Sequence, residues 1–544
     1  MPEHTVNRRT FLKASALGGV TAARASEVHA RGTGQGEPRP ASLPPFDLEE
    51  VSIAALQERM ASGAETSSSI TQKYLARIAA LDTAGPTLRQ VLETNPDALA
   101  IAAERDAERR AGRVRGPLHG VPILLKDNIG TADRMTTTAG SLALEGSIPA
   151  KDSFVAGRLR EAGAILLGKT NMSEWANIRS TRSTSGWSGR GGLGRNPYAL
   201  DRNTSGSSSG SGAAVAASYA AAAIGTETDG SIVSPANNTC LVGIKPTLGL
   251  VSRSGIIPIA HTQDTAGPMA RTVADAVAVL IAIAAVDPSD PETARSASTD
   301  RQYMRALASG GLAGVRIGVP RKELFGSSPH ADRHVERAMV VMQSLGAEII
   351  DPVDLKMPDD LGEHELEVLL YEFKTDVNAY LASLGPGARV KSLKEVIAFN
   401  DANSDREMPF FGQELFLRAE AKRPLTSPGY LAALGRIRRA TREHGIDAVM
   451  RAHRLDALIA PTSGPPSLTD LVNGDYGPGG ASSIPAIAGY PHITVPAGFA
   501  FGLPVGLSIF GRAWSEMTLI RIAYAYEQAT KHRRPPRFLA TVDL

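Results

Sequence analysis

The sequence predicts an α/β fold, a single large domain in which helices cover both faces of a mixed, twisted sheet. Short apolar runs of strand length alternate with helical patterns along most of the chain, as is typical of this class. The runs are apolar throughout, which is expected of strands buried on both faces. The 544 residues are 42% hydrophobic and 21% charged, as in ordinary globular proteins, and show no repeat of 20–50 residues.

The amino-terminal half shows the two patterns in turn. Helices are predicted over 51–62, 67–81, 98–110 and 154–162, and strands over 120–125 and 164–167. The first strand ends at Lys126. Open α/β sheets build their sites at the carboxyl ends of strands, so Lys126 is a candidate for chemistry; a solvated lysine at a strand end is the alternative.

Near the middle of the chain, two glycine- and serine-rich turns flank a run of alanine. Alanine favours helix, so residues 213–223 are predicted to form one closely packed, buried helix. The loop at 206–210 and the turn at 228–231 can then fold back towards each other and bring Ser207 and Ser231 into one site. A flexible linker is the alternative, but a linker would not run directly into an apolar helix.

The carboxyl-terminal half continues the alternation. Strands are predicted over 316–320, 347–350, 457–460, 493–496 and 505–510, and helices over 334–345 and 518–530. Residues 285–310 and 355–430 carry more charge and less glycine. We interpret the stretch of about 285–430 as a mostly helical excursion on the same domain.

The amino terminus carries a targeting pattern rather than part of the fold. Arg8 and Arg9, followed by Phe-Leu-Lys and a weakly apolar run at 14–23, match a twin-arginine signal; a chance arginine pair is the alternative. We expect a signal peptide at 1–30, a linker at 31–45 and the folded domain at 46–544. The expected partner is the twin-arginine export machinery, and the expected location is the periplasm or the exterior.

Composition and motifs exclude several function classes. A net charge of +2 does not indicate nucleic-acid binding. The sequence contains no run of 18 or more apolar residues, so we expect no stable membrane insertion. The single cysteine, Cys240, allows no intrachain disulfide and is interpreted as a small core residue. His330 and His334 have the spacing of a zinc motif but lack its glutamate, so we expect no metal. Because no phosphate-binding glycine loop is present, we also expect no cofactor.

Residues 206–210 also satisfy the G-x-S-x-G pattern of the nucleophile elbow in α/β-hydrolases. That elbow directly follows a strand, whereas residues 196–204 contain Pro197 and no apolar run. It also requires a later acid and histidine, and His261 and His492 stand in no recognisable context. We therefore disfavour this interpretation.

The stretch 201–247 resembles the signature of the amidase signature family, serine hydrolases with a Ser–cis-Ser–Lys triad. In that family a serine–glycine loop and a Gly-Ser-Ile turn lie 24 residues apart, as Ser207 and Ser231 do here. Residues 120–128 resemble its lysine motif. The likeness covers roughly residues 48–540. Its subgroup features are most similar to those of bacterial peptide amidases and lie at 173–177, 185–192 and 225–231.

The resemblance implies a role for each residue of the site. Lys126 would be the base, Ser207 the proton relay, preceded by a cis peptide, and Ser231 the nucleophile. The backbone of Thr228, Asp229 and Gly230 would hold the oxyanion with that of Ser231, and Ser208 would support the site by hydrogen bonding. A lysine base must be neutral, so its pKa has to fall from about 10.4 to near 7 through burial. Asp127 should accordingly point away from it.

The sequence departs from the family pattern at a few positions. Ser205 and Ser209 stand where glycine is usual, and both are small enough to leave the loop intact. Asp229 also replaces a common glycine, which suggests a group that touches substrate. Val233 stands where many relatives have arginine, which disfavours an acyl group that carries a carboxylate.

The expected activity is hydrolysis of a carboxamide through an acyl-serine intermediate, with a peptide that ends in an amide as substrate. Exported acylamidase or esterase activity towards aryl or alkyl substrates on the same triad is an alternative. An ammonia-releasing subunit of an amidotransferase and a catalytically dead exported binding protein are further alternatives. The triad counts against a dead site, because binding alone would not need all three residues.

Overall fold

The computed structural model describes residues 45–296, 301–308, 311–476 and 479–542. The expected signal peptide and nearly all of the expected linker lie outside these described residues. The chain from Pro45 onwards forms one unit, the single α/β domain that the sequence predicts.

The described residues contain thirteen strands. They are β1 Val91–Thr94, β2 Pro122–Lys126, β3 Ile165–Thr170, β4 Trp187–Ser188, β5 Gly192–Leu193, β6 Ala222–Glu227, β7 Val242–Lys245, β8 Thr265–Ala270, β9 Arg316–Gly318, β10 Glu348–Ile350, β11 Ala457–Pro461, β12 His492–Ala500 and β13 Leu503–Phe510.

Seventeen α-helices accompany them in the same ranges. They are α1 Ile53–Ser62, α2 Ser67–Leu81, α3 Ala98–Arg110, α4 Phe154–Glu161, α5 Ser209–Ala216, α6 Val233–Asn238, α7 Val273–Ile283, α8 Arg321–Leu324, α9 Pro329–Ser344, α10 Leu361–Ser383, α11 Leu393–Ala402, α12 Ser404–Glu407, α13 Glu414–Glu420, α14 Pro428–Arg438, α15 Asp447–Ala452, α16 Ser483–Ala488 and α17 Glu516–Thr530. Within the described ranges, no helix combines the length and the apolar character that crossing a membrane would take.

Eleven of these strands form one sheet in the order β1-β3-β2-β6-β8-β7-β12-β13-β11-β9-β10. The sheet is mixed, as predicted. Strands β3, β2 and β6 are parallel to one another, the run from β6 through β8, β7, β12 and β13 to β11 is antiparallel, and β11, β9 and β10 are again parallel.

The central strands are buried along their whole lengths, including β2, β3, β6, β8 and β13. Successive side chains of a strand point to opposite faces, so full burial means that both faces of the sheet are covered. This burial explains why the sequence shows continuous apolar runs there rather than alternation.

The prediction of one helix over 213–223 is wrong in its second half. Helix α5 is short, Ser209–Ala216, and Ser218 takes a positive φ of 59° beyond its end. The remaining alanines, from Ala222, begin β6, which pairs with β2 and β8 at the centre of the sheet. Sheet pairing overrides the helical preference of alanine there. The other predicted strands and helices are present with bounds shifted by a few residues, whereas β1, β4, β5, β7 and β8 were not predicted.

The stretch at 355–430 is helical, as predicted, and packs over the segment around Trp175. Phe373 from α10 and Phe416 from α13 stack on each other and meet Trp175 edge-on. A buried apolar cluster extends from these rings to Ile257 and Ile259. The helical layer therefore covers one side of the region where β2 and β6 end.

Candidate active site

Lys126, the last residue of β2, has a fully buried side chain at the centre of the candidate site. Its amine Nζ lies 2.8 Å from Ser207 Oγ, 2.8 Å from Thr226 Oγ1 and 3.1 Å from the carbonyl oxygen of Thr226. A neutral amine donates two hydrogen bonds and accepts one. Nζ can donate to all three oxygens as an ammonium, and a neutral amine keeps the same contacts by donating to Thr226 and accepting from the Ser207 hydroxyl.

Burial lowers the pKa of Lys126 to about 7, against opposing effects of the charges of Asp264 and Glu227. The neighbouring carboxylate of Asp127 does not reach the amine. It accepts hydrogen bonds from Thr138 and from the Gly140 N–H at 3.1 Å, on the other side of the strand. Asp127 thus points away from Lys126, as expected, and neutral amine is available near neutral pH.

The loop that carries Ser207 is held in a crowded space. The Gly206–Ser207 peptide is cis, and the Ser207 carbonyl accepts a hydrogen bond from the Ser173 N–H at 3.1 Å. A Cβ atom at Gly206 would lie 2.1 Å from Ser173 Oγ and 2.7 Å from Ser185 Oγ. Only glycine fits at this position without movement of its neighbours. Residues 203–208 contain no strand, so the loop lacks the architecture of a nucleophile elbow.

The loop and the turn meet, as the sequence analysis anticipated. The Ser208 N–H donates to the Ser231 carbonyl oxygen at 3.1 Å. The Ser208 hydroxyl donates to the Thr226 carbonyl oxygen at 3.0 Å and accepts from the Thr226 N–H at 3.2 Å. Ser208 therefore links the end of β6 to the turn at Ser231.

The turn itself exposes backbone donors. Gly230 has a φ of 74°, in the left-handed region that favours glycine. Across the described ranges, the N–H groups of Asp229, Gly230 and Ser231 donate to no other group, and the Ser231 hydroxyl makes no hydrogen bond. Consecutive free N–H groups at such a turn form a concavity that suits an anion.

Glu227 fixes the far side of the turn, a feature that the sequence analysis missed. Its carboxylate accepts from the N–H groups of Ile232 at 2.7 Å and Val233 at 3.0 Å, the residues directly after Ser231. Burial raises the pKa of Glu227, and the positive charge of Lys245, also fully buried, opposes this. The sequence did contain a signal for the role of Glu227, because this glutamate ends an apolar run four residues before the candidate nucleophile.

Thr228 and Asp229 direct their side chains away from each other. Thr228 Oγ1 donates to Asp264 at 2.6 Å. Asp229 accepts from Ser483 Oγ at 2.6 Å, at the start of α16, and burial raises the pKa of its carboxyl group. Three further residues around Lys126 or Thr228 were also not singled out from the sequence: Thr226, Asn128 and Asp264. They lie far apart in the chain from the site residues they contact, and only the folded sheet brings them together.

A cavity of about 410 Å³ reaches Ser207, Thr226 and Thr228. One wall is apolar and consists of residues 256–259 with parts of α10. Its lining also includes two hydrogen-bonded pairs, Arg253 with Asp290 and His261 with Asp376. The cavity therefore combines this apolar wall with polar residues around Ser207, such as Asn128 and Thr226, as is common in sites for small organic molecules.

Among the described residues, one group of side chains has ligand atoms close enough together for a metal: His261, Glu372 and Asp376, all within 4.8 Å of one another. These atoms already bond within the protein. His261 Nδ1 lies 2.8 Å from Asp376, and Glu372 accepts from Thr262 and Tyr430. We interpret the group as structural support for the wall of the cavity.

The fold, taken with the comparisons with known proteins, defines a class of protein, the hydrolases of amide bonds. A family model described as Amidase matches residues 69–520. A probable amidase of Arabidopsis thaliana is 42% identical over 92% of this chain and 93% of its own length. The native peptide amidase of Stenotrophomonas maltophilia is 52% identical with a TM-score of 0.86, covering 91% of this chain and 100% of that one. A peptide amidase bound to the competitive inhibitor chymostatin is 52% identical with a TM-score of 0.88, covering 90% and 100%.

The chain therefore belongs to the amidase signature family. It is a hydrolase that acts on amide carbon–nitrogen bonds.

Proposed function

We propose that the protein removes the C-terminal amide group of peptides through an acyl intermediate on Ser231. The observation that carries the proposal is the 2.8 Å contact between Lys126 Nζ and Ser207 Oγ, made by a fully buried lysine. A serine hydroxyl is a poor nucleophile unless a base takes its proton. Lys126 and Ser207 provide that base and its relay next to the turn that bears Ser231.

In the proposed reaction, neutral Lys126 accepts the proton of Ser207 while Ser207 accepts the proton of Ser231. The Ser231 oxygen attacks the carboxamide carbon and forms a tetrahedral intermediate. The free N–H groups of Asp229, Gly230 and Ser231 stabilise its oxyanion. No metal or cofactor takes part in these steps.

The intermediate then collapses with cleavage of the carbon–nitrogen bond. Ser207 returns a proton to the leaving nitrogen and is reprotonated by the Lys126 ammonium, so that ammonia departs. A water molecule, activated through the same pair, attacks the acyl-Ser231 ester and releases the peptide acid. The same groups thus act as base and acid in turn.

The substrate assignment is supported by the 52% identity to two peptide amidase structures, one with a competitive inhibitor bound. The cavity supports it as well, because one wall, formed by residues 256–259 with parts of α10, is apolar. Val233, two residues after Ser231, likewise supplies no charge for an acyl group with a carboxylate.

We further propose export by the twin-arginine machinery, on the strength of Arg8, Arg9 and the run that follows them. The test is cell fractionation of the full chain and of an Arg8→Lys/Arg9→Lys variant. We expect the first in the periplasm or medium and the variant in the cytoplasm; equal distribution would contradict export.

The activity is tested by mass spectrometry of products from a peptide amide, an aryl amide, an anilide and an ester, with Ser231→Ala as the control. We expect conversion of the terminal amide to an acid with the peptide amide, and none with the variant. Turnover of the aryl substrates alone would contradict the substrate class, and full activity of Ser231→Ala would contradict the nucleophile.

A further inference from the structure

The segment 463–476, which follows β11, touches the loop that carries Ser207. The Asn203 N–H donates to the Ser467 carbonyl oxygen at 2.8 Å. The Asp475 carboxylate accepts from Asn203 Nδ2 at 2.8 Å and from the Ser185 N–H at 2.9 Å. The segment is thus fixed beside the candidate active site rather than elsewhere on the surface.

This segment also presents exposed apolar side chains. Tyr476 is 85% exposed and Val472 is 79% exposed, the two highest values among the large apolar side chains of the described residues. Leu468, in the same segment, is 58% exposed. Single exposed apolar residues are normal on proteins, but a group beside a catalytic loop marks a binding surface.

Tyr476 borders a shallow groove whose floor is polar. The groove holds about 70 Å³ and is lined by Ser205, Asn203 and Asn238, among others. In the described part of the chain, the hydroxyl of Ser205 forms no hydrogen bond, and the same holds for Ser463 and Ser467 at its edge. These groups can bond to the backbone of an extended peptide, while Tyr476 covers an apolar side chain.

The segment's charges do not compete for this role. Asp475 is engaged by Asn203 and Ser185, and Asp470 accepts from the N–H groups of Val472 and Asn473 at 2.8 and 2.9 Å. Asn203 Oδ1 in turn accepts from the N–H of Ser205, two residues before Ser207. The exposed groups that remain are therefore apolar side chains and hydroxyls, and Tyr476 lines the same groove as Ser205.

We propose that Val472 and Tyr476 bind the peptide part of the substrate, upstream of the residue that bears the amide, and favour apolar or aromatic side chains there. This inference rests on the proposed peptide amidase function and adds a preference to it. It predicts that longer apolar peptide amides are better substrates than the shortest ones, since each buried apolar side chain adds binding free energy.

The test compares kcat/KM of the full chain and of a Val472→Ser/Tyr476→Ser variant on a dipeptide amide and on a pentapeptide amide with apolar upstream residues. We expect the variant to lose about tenfold or more on the pentapeptide amide, the equivalent of burying one such side chain. On the dipeptide amide it should change less than about twofold. Val340→Ser is the matched control, because Val340 is 65% exposed on α9, and it should match the wild type on both.

Three results would overturn the proposal. One is an equal loss on both peptides, which would mean that the segment acts on the relay loop. Another is no loss on either. The third is a wild-type oligomer that is absent in the double variant, measured by size-exclusion chromatography with light scattering. That result would mean that the surface binds a second copy of the chain. If the wild type hydrolyses neither peptide amide, the proposed peptide amidase function itself fails. If it hydrolyses both peptide amides equally well, only the proposed preference for longer apolar peptides fails.

Discussion

Lys126 and Ser207 are in hydrogen-bond contact at 2.8 Å although 81 residues separate them in the chain. The contact exists because β2 ends where the loop before α5 crosses the adjacent β6. Among the described residues, no carboxylate oxygen lies within hydrogen-bond distance of the amine. A buried lysine paired only with hydroxyl and carbonyl groups is equipped to accept a proton.

The first prediction concerns these two residues as a unit. Lys126→Met and Ser207→Ala should each lower kcat by at least about a thousandfold, because either change breaks the same proton path. The double variant should lose no more than the worse single variant. Steady-state kinetics measures all three, and multiplicative losses in the double variant would contradict a shared path.

The second prediction concerns pH. Because the pKa of Lys126 is lowered to about 7, the amine is neutral above that pH, so kcat/KM should rise through about pH 7 and then level off. The negative charge of Asp264 raises the pKa of Lys126. Asp264→Asn should therefore move the rise to lower pH.

The control for this shift is Asp332→Asn on α9, since Asp332 is not among the charges that act on Lys126. Its pH profile should overlay that of the wild type. A shift of the Asp264→Asn profile to higher pH would show that the sign of the electrostatic argument is wrong.

The third prediction concerns Glu227. Glu227→Ala leaves the buried N–H groups of Ile232 and Val233 without an acceptor, at a cost of about 1–3 kcal/mol for each. The free energy of unfolding, measured in urea, should fall accordingly, and kcat should fall more than KM rises because the turn at Ser231 loosens. Glu227→Gln keeps a carbonyl acceptor and should recover most of the stability; if it is as unstable as the alanine variant, the charge rather than the hydrogen bonds is what matters.

The fourth prediction concerns Gly206. Gly206→Ala places a Cβ 2.1 Å from Ser173 Oγ, so the loop must move and kcat should fall at least about a hundredfold. Gly157→Ala in α4 is the matched control, since a Cβ there meets nothing within 4 Å. It should keep full activity and gain a few tenths of a kcal/mol to about 1 kcal/mol in stability. Wild-type kinetics in Gly206→Ala would refute the packing argument.

Much of the fold was accessible from sequence because its central strands are apolar and bounded by helical patterns. β8 escaped notice because Gly267 and Pro268 interrupt its run, and β7 because its sequence, Val-Gly-Ile-Lys, has only two large apolar residues. The alanine run was misassigned in its second half since propensity carries no information about pairing with β2 and β8.

The residues of the candidate site also differ in whether the sequence predicts them. Lys126, Ser207 and Ser231 stand in motifs whose spacing is visible in the sequence. Glu227, Thr226 and Asp264 act through contacts that only the folded sheet creates, such as the bond from Thr228 to Asp264. Residues that hold the site together were therefore less predictable than residues proposed to do its chemistry.

The central claim is the acyl intermediate on Ser231. The most direct measurement is rapid acid quench of the enzyme with a slow peptide ester or amide, followed by proteolysis and mass spectrometry. We predict the mass of the acyl group on the fragment that contains Ser231, and no adduct in Ser231→Ala. An adduct on Ser207 or another residue, or steady turnover by Ser231→Ala, would contradict the account.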